Sequence, residues 1–157
     1  MSKKILFLCT GNSCRSQMAE ALLRHICGDA FESLSAGSQP AGFIHPLAEA
    51  AMENLGISLA GQSSKSWDEF ADVPIDVVIT LCDSAAAETC PNWIGSPLAV
   101  HWSMPDPAFH LGDEAERIEF ASRVAKRLEA KIRGLVALDW NTDRIELQKH
   151  LERLGEI

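Results

Sequence analysis

The chain has 157 residues, of which 46% are hydrophobic, a length and composition that suit one domain with a buried core of its own. The formal net charge of −8 argues against nucleic acids and anionic membrane surfaces as partners. No apolar run approaches the roughly 20 residues of a membrane helix, and the segment before the first apolar run is too short for a signal peptide. We therefore expect a cytoplasmic protein whose five cysteines are reduced rather than paired.

Apolar runs typical of strands alternate with helical patterns along the chain. We predict strands at 4–9, 31–36, 75–81 and 97–102. We predict helices at 15–27 and 46–55, a short helix that starts in a capping box at 66–69, and a long amphipathic helix at 113–138. Gly56 is a typical left-handed residue at a helix end, and Gly134 weakly interrupts the long helix. The alternation favours an α/β domain with a parallel sheet covered by helices on both faces.

Residues 139–157 extend this predicted domain, which covers residues 1–138. Within the extension, Leu147, Leu151 and Leu154 recur at helical spacing and predict a final helix. We expect a packing or dimer helix rather than a separate domain.

The first functional motif lies where the first strand turns into a helix. It reads Cys9-Thr10-Gly11-Asn12-Ser13-Cys14-Arg15-Ser16. Gly11 can adopt a positive φ, so the loop can curl and aim successive N–H groups inward. Those N–H groups and the helix dipole favour a tetrahedral oxyanion and the thiolate form of Cys9. Arg15 offers a planar pair of donors to the same anion, and Ser16 can donate to the Cys9 sulfur.

The alternative interpretation of this motif is a buried strand-end cysteine followed by a surface arginine. Within the loop, Cys14 either packs beneath the backbone, which we prefer, or forms a protective disulfide with Cys9 under oxidation. Cys27 follows a helix and is expected in the core.

The segment Cys9–Ser16 resembles the signature loop of low-molecular-weight protein tyrosine phosphatases and of the arsenate reductases that share their fold. Further matches are Ser35-Ala36-Gly37, the segment from Gly56-Ile57 to Ser66, the strand from Val77 to Cys82, and Asp106-Pro107. The similarity covers roughly residues 3 to 135. It implies a single α/β domain with a four-stranded parallel sheet in the order 2-1-3-4 and helices on both faces.

Under that strand order, Cys9 and Cys82 end neighbouring strands and emerge on the same rim of the sheet, where a disulfide between them is reachable. Cys90 follows eight positions after Cys82. In a helix that separation is about 12 Å, beyond the ~5.5 Å that a disulfide tolerates. Pairing Cys82 with Cys90 would therefore require the segment to unwind.

This layout of three thiols resembles the thioredoxin-coupled arsenate reductases, and the resemblance implies a mechanism. Cys9 would attack arsenate held by the loop and Arg15, and Cys82 would then attack Cys9 and release arsenite. Cys90 would finally take Cys82 and present that disulfide to thioredoxin. No cofactor is expected to be bound, and glutaredoxin with glutathione is the alternative reductant. The alternative for Cys82 and Cys90 is a role as small buried hydrophobic residues.

Asp106 lies between two prolines after the last predicted strand. It is a candidate general acid for the leaving oxygen and, as carboxylate, a base for Cys82; the alternative is a turn-forming aspartate. The phosphatases usually place tyrosines after this Asp-Pro, whereas this chain has no tyrosine. A small inorganic oxyanion therefore suits the site better, although Phe109 or Trp93 could line an aryl pocket.

Some members of the reductase family bind potassium beside the loop, through residues that match Asn12, Glu20, Ser35 and an acidic residue near position 65. Lys65 stands there in this chain. We expect no metal, because the Lys65 ammonium would replace the cation and pair with Glu20. A zinc site at Cys82, Cys90 and His101 matches no compact finger spacing.

The prediction is an arsenate reductase, with two alternatives. The first is a tyrosine phosphatase that acts through a cysteinyl-phosphate intermediate. The second is a thiol sensor without catalysis, which would need neither the phosphate-shaped loop nor Asp106.

Overall fold

The computed structural model describes residues 2–27, 29–87 and 93–157 as an α/β domain. The strands are β1 (Lys3–Leu8), β2 (Phe31–Ala36), β3 (Val77–Thr80) and β4 (Leu98–His101). The helices are α1 (Arg15–Cys27), α2 (Pro46–Asn54), α3 (Asp83–Ala87), α4 (Glu114–Val136) and α5 (Arg144–Leu154). Two 3-10 helices add Trp67–Phe70 and Pro107–Phe109. None of the helices in these ranges is long and apolar enough to cross a bilayer.

The four strands form one parallel sheet in the order β2-β1-β3-β4, which confirms the predicted order. Leu8, at the end of β1, pairs with Ala36 of β2 and with Thr80 of β3. Thr80 in turn pairs with His101 of β4. The carboxyl ends of β1, β3 and β4 therefore meet at one rim, as parallel pairing requires for a shared site.

The sheet has a buried core on each face because successive strand residues point to opposite sides. Ile5 and Phe7 of β1 belong to the larger core, which side chains of α1, α2, α4 and α5 fill. Leu6 and Leu8 belong to a smaller core, against which the 3-10 helix 67–70 and Trp93 pack. Because both faces of the sheet are covered, its strands are apolar on both sides, and the loops at their ends are held in place.

Helix ends follow the local sequence closely. α2 starts at Pro46, which needs no backbone donor, and ends before Gly56, whose φ of +72° is the predicted left-handed turn. α4 is continuous through Gly134. A Cβ at Gly134 would lie 2.4 Å from a methyl of Leu154, so this glycine lets α5 approach α4.

Polar contacts hold α5 and the residues after it against the end of β4 and against α4. The Trp102 indole donates to the carbonyl of Leu151 at 2.9 Å. The fully buried Lys131 of α4 donates to the carbonyls of Leu154, Gly155 and Ile157 at 2.7–3.1 Å. Burial and the charge of Arg127 lower the pKa of Lys131. The ammonium thus satisfies carbonyls that the end of α5 leaves without helical partners.

Candidate active site

The loop between β1 and α1 is held from outside by its carbonyl groups. The carbonyls of Thr10, Gly11 and Ser13 accept backbone N–H groups from residues 39, 41 and 45 at 2.8–3.0 Å. In a planar trans peptide the N–H points away from the C=O, so the next N–H groups along the chain face the inside of the loop. The loop is therefore an anion cradle of backbone donors at the start of α1.

Asn12, rather than Gly11, adopts the left-handed conformation in this loop, with a φ of 46°. The prediction of a positive φ at Gly11 is wrong, because a buried side-chain network makes Asn12 the turning residue. Its Oδ1 accepts from the backbone N–H of Lys65 at 3.0 Å, and its Nδ2 donates to the Ser16 hydroxyl at 2.8 Å. The Gln17 amide lies 3.0 Å from both Asn12 oxygens.

Gly37 lies directly against the loop. A Cβ at this position would be 2.4 Å from the Thr10 carbonyl oxygen and 2.6 Å from that of Cys9. Both neighbours are backbone atoms, so only glycine fits between the end of β2 and the cradle.

The Cys9 and Cys82 thiols are buried, with 4% and 5% of each residue exposed, and their sulfurs are hydrogen-bonded. The Cys82 sulfur also lies 3.6 Å from the Thr10 hydroxyl and accepts from the Ala85 N–H at 3.3 Å. This places both thiols at the rim that the strand order predicts.

The hydrogen bond between the two sulfurs couples the titrations of the two thiols. The hydrogen bond from Cys9 lowers the pKa of Cys82 to about 5. The same bond, with burial, raises the pKa of Cys9 well above its ordinary value, although Arg15 and Ser16 act in the opposite direction. The prediction that the loop makes Cys9 the thiolate stays a prediction, because the same hydrogen bond acts in opposite directions on the two thiols, which titrate as a pair.

Cys14 is buried beneath the loop, and burial with the nearby Asp106 charge raises the pKa of its thiol to about 12. A thiol of this kind is a poor nucleophile at neutral pH. Cys27 is only partly buried, and Cys90 lies outside the described residues.

Arg15 links the loop to the segment after β4. One guanidinium nitrogen donates to the Met104 carbonyl at 2.9 Å, and another lies 3.1 Å from Asp106 Oδ2. Asp106 Oδ1 accepts from the Ala108 N–H at 3.0 Å, which caps the following 3-10 helix. The carboxyl group thus forms a turn and also stands beside the predicted anion-binding arginine.

The predicted supporting residues meet behind the loop. Glu20 Oε1 accepts from the Ser35 hydroxyl at 2.5 Å and lies 3.7 Å from the Lys65 ammonium. The same ammonium donates to the Ser63 carbonyl at 2.8 Å. Within the described ranges, no group of three or more His, Cys, Asp or Glu residues is arranged to hold a metal ion.

Three supporting residues were not predicted. Gln17 is fully buried between Asn12 and the Ser63 carbonyl, Arg24 lies 3.4 Å from Glu20, and Gln62 contacts both Gln17 and Arg24. Gln17, Glu20 and Arg24 lie at i, i+3 and i+7 in α1, so they form one polar stripe of the helix. That spacing is the sequence signal that would have found two of the three.

A cleft of about 510 Å³ opens beside the thiols and is lined by Arg15, Cys82, Asp83, Asp106 and Phe109, among others. The Phe109 side chain stands at its edge, and 82% of the residue is exposed. Trp93 packs instead against Trp67, with ring centroids 6.5 Å apart. Of the two predicted aryl-pocket residues, only Phe109 is at the cleft.

Comparison with known proteins agrees with this geometry. The family model described as low molecular weight phosphotyrosine protein phosphatase matches residues 4–152. An arsenate reductase from Halalkalibacterium halodurans is 39% identical over 134 residues, which cover 85% of this chain and 95% of that protein.

Two solved structures extend the likeness to three dimensions. A structure described as an arsenate reductase in the phosphate binding state is 31% identical with a TM-score of 0.72, and the match covers 86% of this chain and 97% of that one. A Corynebacterium glutamicum thioredoxin-dependent arsenate reductase is 30% identical with a TM-score of 0.60, covering 84% of this chain and 62% of that one. The chain belongs to the low molecular weight phosphotyrosine protein phosphatase family.

Proposed function

We propose that this protein reduces arsenate to arsenite, with Cys9 as the nucleophile and Cys82 as the thiol that exchanges with it. The observation that carries the proposal is the hydrogen bond between the two sulfurs at the rim of an anion cradle. Hydrolysis through a cysteinyl intermediate needs only the first thiol. Reduction needs a second thiol within reach, and relatives at about 40% identity are named arsenate reductases.

The first step would form a bond from sulfur to arsenic. The proton shared by the sulfurs passes from Cys9 to Cys82, and the Cys9 thiolate attacks arsenate in the loop. One As–O bond breaks, and its oxygen leaves as water with a proton from Asp106. Arg15 and the loop N–H groups stabilise the negative charge of the remaining oxygens.

The second step would transfer two electrons. Cys82 loses its proton to the Asp106 carboxylate and attacks the Cys9 sulfur. The S–As bond breaks with its electron pair on arsenic, so As(V) becomes As(III) and leaves as arsenite. The two thiols are oxidised to a Cys9–Cys82 disulfide.

Reduction of that disulfide would use Cys90 and then thioredoxin. Cys90 attacks Cys82, frees Cys9, and leaves a Cys82–Cys90 disulfide for the reductant. A thioredoxin-dependent reductase among the structural neighbours supports thioredoxin over glutaredoxin with glutathione. The chain itself holds no cofactor in this scheme.

Lys65 would take the place of a metal ion behind the loop. Its ammonium contacts Glu20, and its backbone N–H contacts Asn12, the residue that turns the loop. Lys65 therefore links the Glu20 carboxylate to the anion cradle. Activity in this proposal does not require potassium.

The experiment is a coupled assay in which thioredoxin, its reductase and NADPH recycle the enzyme. Arsenate should start NADPH oxidation with the parent, and Cys9→Ser, Cys82→Ser and Cys90→Ser should each abolish it. Cys27→Ser is the matched control and should retain turnover. Activity only with glutaredoxin and glutathione would keep the reaction and replace the partner.

Phosphatase activity is the competing outcome. Absence of arsenate-dependent turnover, together with brisk hydrolysis of an aryl phosphate that survives in Cys82→Ser, would replace the proposal with a phosphatase. Absence of both activities, with reversible oxidation of the thiols, would indicate a sensor.

A further inference from the structure

The start of α3, one residue after Cys82, is tied to the segment that ends β4. Asp83 Oδ1 accepts from Nε2 of His101 at 2.9 Å and from the Ser103 hydroxyl at 3.0 Å. The Asp83 side chain is 83% exposed, yet one of its oxygens has two fixed donors. The pKa of Asp83 is lowered mainly by the hydrogen bond from His101 and also by the one from Ser103. Asp83, His101 and Ser103 have no role in the chemistry proposed above for Cys9.

The His101 ring is itself oriented by β3. Its Nδ1 lies 2.7 Å from the hydroxyl oxygen and 3.1 Å from the carbonyl oxygen of Thr80. The contacts of Nδ1 with Thr80 orient the ring so that Nε2–H points at Asp83. Cys82 thus lies between two residues, Thr80 and Asp83, that the same imidazole fixes.

The Cys82 sulfur has hydrogen bonds of its own. Its partners include the Thr10 hydroxyl and backbone N–H, the Ala85 N–H and Cys9. The described part of α3 is short, Asp83–Ala87, and its first residue directly follows Cys82. The side chains that hold Asp83 therefore help to set the position of the sulfur.

We propose that Asp83, His101 and Ser103 are positioning residues that hold the start of α3 and so keep the Cys82 sulfur against Cys9 and Thr10. The proposal rests on the proposed function only for the exchange that Cys82 performs. When Asp83 is released, the first turn of α3 frays, and Cys82 becomes more accessible to reagents and spends less time beside Cys9.

Alkylation of the reduced protein by iodoacetamide, followed by peptide mass spectrometry, tests this without arsenate. At about pH 9.5, where a thiol with an ordinary pKa is also ionised, the Cys82 rate in Asp83→Ala and His101→Ala should rise about tenfold, equivalent to about 1.4 kcal/mol. The Cys27 rate in the same samples should not change. An unchanged ratio of the Cys82 rate to the Cys27 rate would overturn the proposal.

Conservative variants separate position from charge. His101→Gln keeps an N–H donor, and Asp83→Asn keeps the acceptor oxygen without the charge, so both should stay near the parent rate. Asp72→Ala, at an exposed aspartate outside the cluster, is the matched control and should match the parent. If Asp83→Asn behaves like Asp83→Ala, the effect is electrostatic and the positioning role is wrong.

Steady-state kinetics provide a second readout. Asp83→Ala should lower kcat for arsenate several-fold and leave KM unchanged, because the loop and Arg15 hold the anion. A rise in KM with constant kcat would contradict the proposal. A parent without arsenate turnover would refute the proposed function alone, since alkylation would still decide the positioning role.

Discussion

The loop that carries Cys9 is fastened along its length, whereas Cys82 directly precedes α3, which is described over Asp83–Ala87. The loop carbonyls bind a neighbouring segment, and the buried Asn12 and Gln17 fill the space behind it. The first residue of α3 is held by two side-chain hydrogen bonds near the surface. An anion cradle gains from rigidity, whereas a thiol that must exchange partners needs a segment that opens at low cost. The two sulfurs are hydrogen-bonded, but they belong to segments that are held in different ways.

Gly37→Ala should disrupt the Cys9 loop and give the largest loss of stability. The new Cβ would lie 2.4 Å from the Thr10 carbonyl oxygen, and backbone atoms must move to accept it. We expect the free energy of unfolding to fall by about 3 kcal/mol or more, as for severe overpacking. Urea titration measures the loss, and arsenate turnover should fall with it.

Gly134→Ala is the matched control for that variant. Its Cβ would also lie 2.4 Å from a neighbour, but the neighbour is a methyl group at the end of the Leu154 side chain, which can rotate. The gain in helix propensity, up to about 1 kcal/mol, offsets part of the cost. Equal destabilisation by the two alanines would show that the close approach at the loop has no special role.

The lowered pKa of Cys82 predicts a titration that can be measured. Since the Cys9 hydrogen bond is the main cause of the lowered pKa, the Cys82 thiolate should persist above its pKa of about 5 and be lost as pH falls through that value. Thiolate absorbance near 240 nm should follow this titration.

In Cys9→Ala that hydrogen bond is lost, and the midpoint should move upward toward the ordinary thiol range. Cys14→Ser should leave the midpoint in place, since burial raises the pKa of that thiol to about 12. The range from about pH 6 to 7 lies between the lowered Cys82 pKa of about 5 and the ordinary thiol pKa of ~8.5. If the parent protein shows no thiolate absorbance in that range, the lowered pKa of Cys82 is contradicted.

Lys65→Met tests the support behind the loop and should have the smallest effect. Glu20 loses one cation, although Arg24 remains 3.4 Å away. We expect a loss of stability on the order of 1 kcal/mol and a several-fold fall in kcat/KM. Parent activity should be equal in sodium and potassium buffers, and strong stimulation of the parent by potassium would disprove the role of the ammonium.

Local patterns predicted the scaffold well because they act over few residues. The apolar run of β1, the helix start at Arg15 and the left-handed turn at Gly56 all depend on neighbours in the sequence. The parallel order of the strands came from the resemblance of the Cys9 loop. The fold and the rim of the site could therefore be placed before any contact was known.

The chemistry of the site depended on contacts that no local pattern contains. The turn at Asn12 is set by Gln17 and Lys65, and the pKa of Cys82 is lowered by a sulfur that follows another strand. The position of Arg15 beside Met104 and Asp106 likewise joins distant segments. Periodicity shows which residues are buried, but it does not show which buried polar groups meet.

The exchange between Cys9 and Cys82 is tested most directly by a single turnover of the reduced Cys90→Ser variant with arsenate and no added reductant. About one arsenite should be released per chain, and a disulfide should form between Cys9 and Cys82, both measured by mass spectrometry. Cys82→Ser under the same conditions should release none. Arsenite release from Cys82→Ser at the parent rate, or its absence from Cys90→Ser, would contradict the exchange between the two sulfurs.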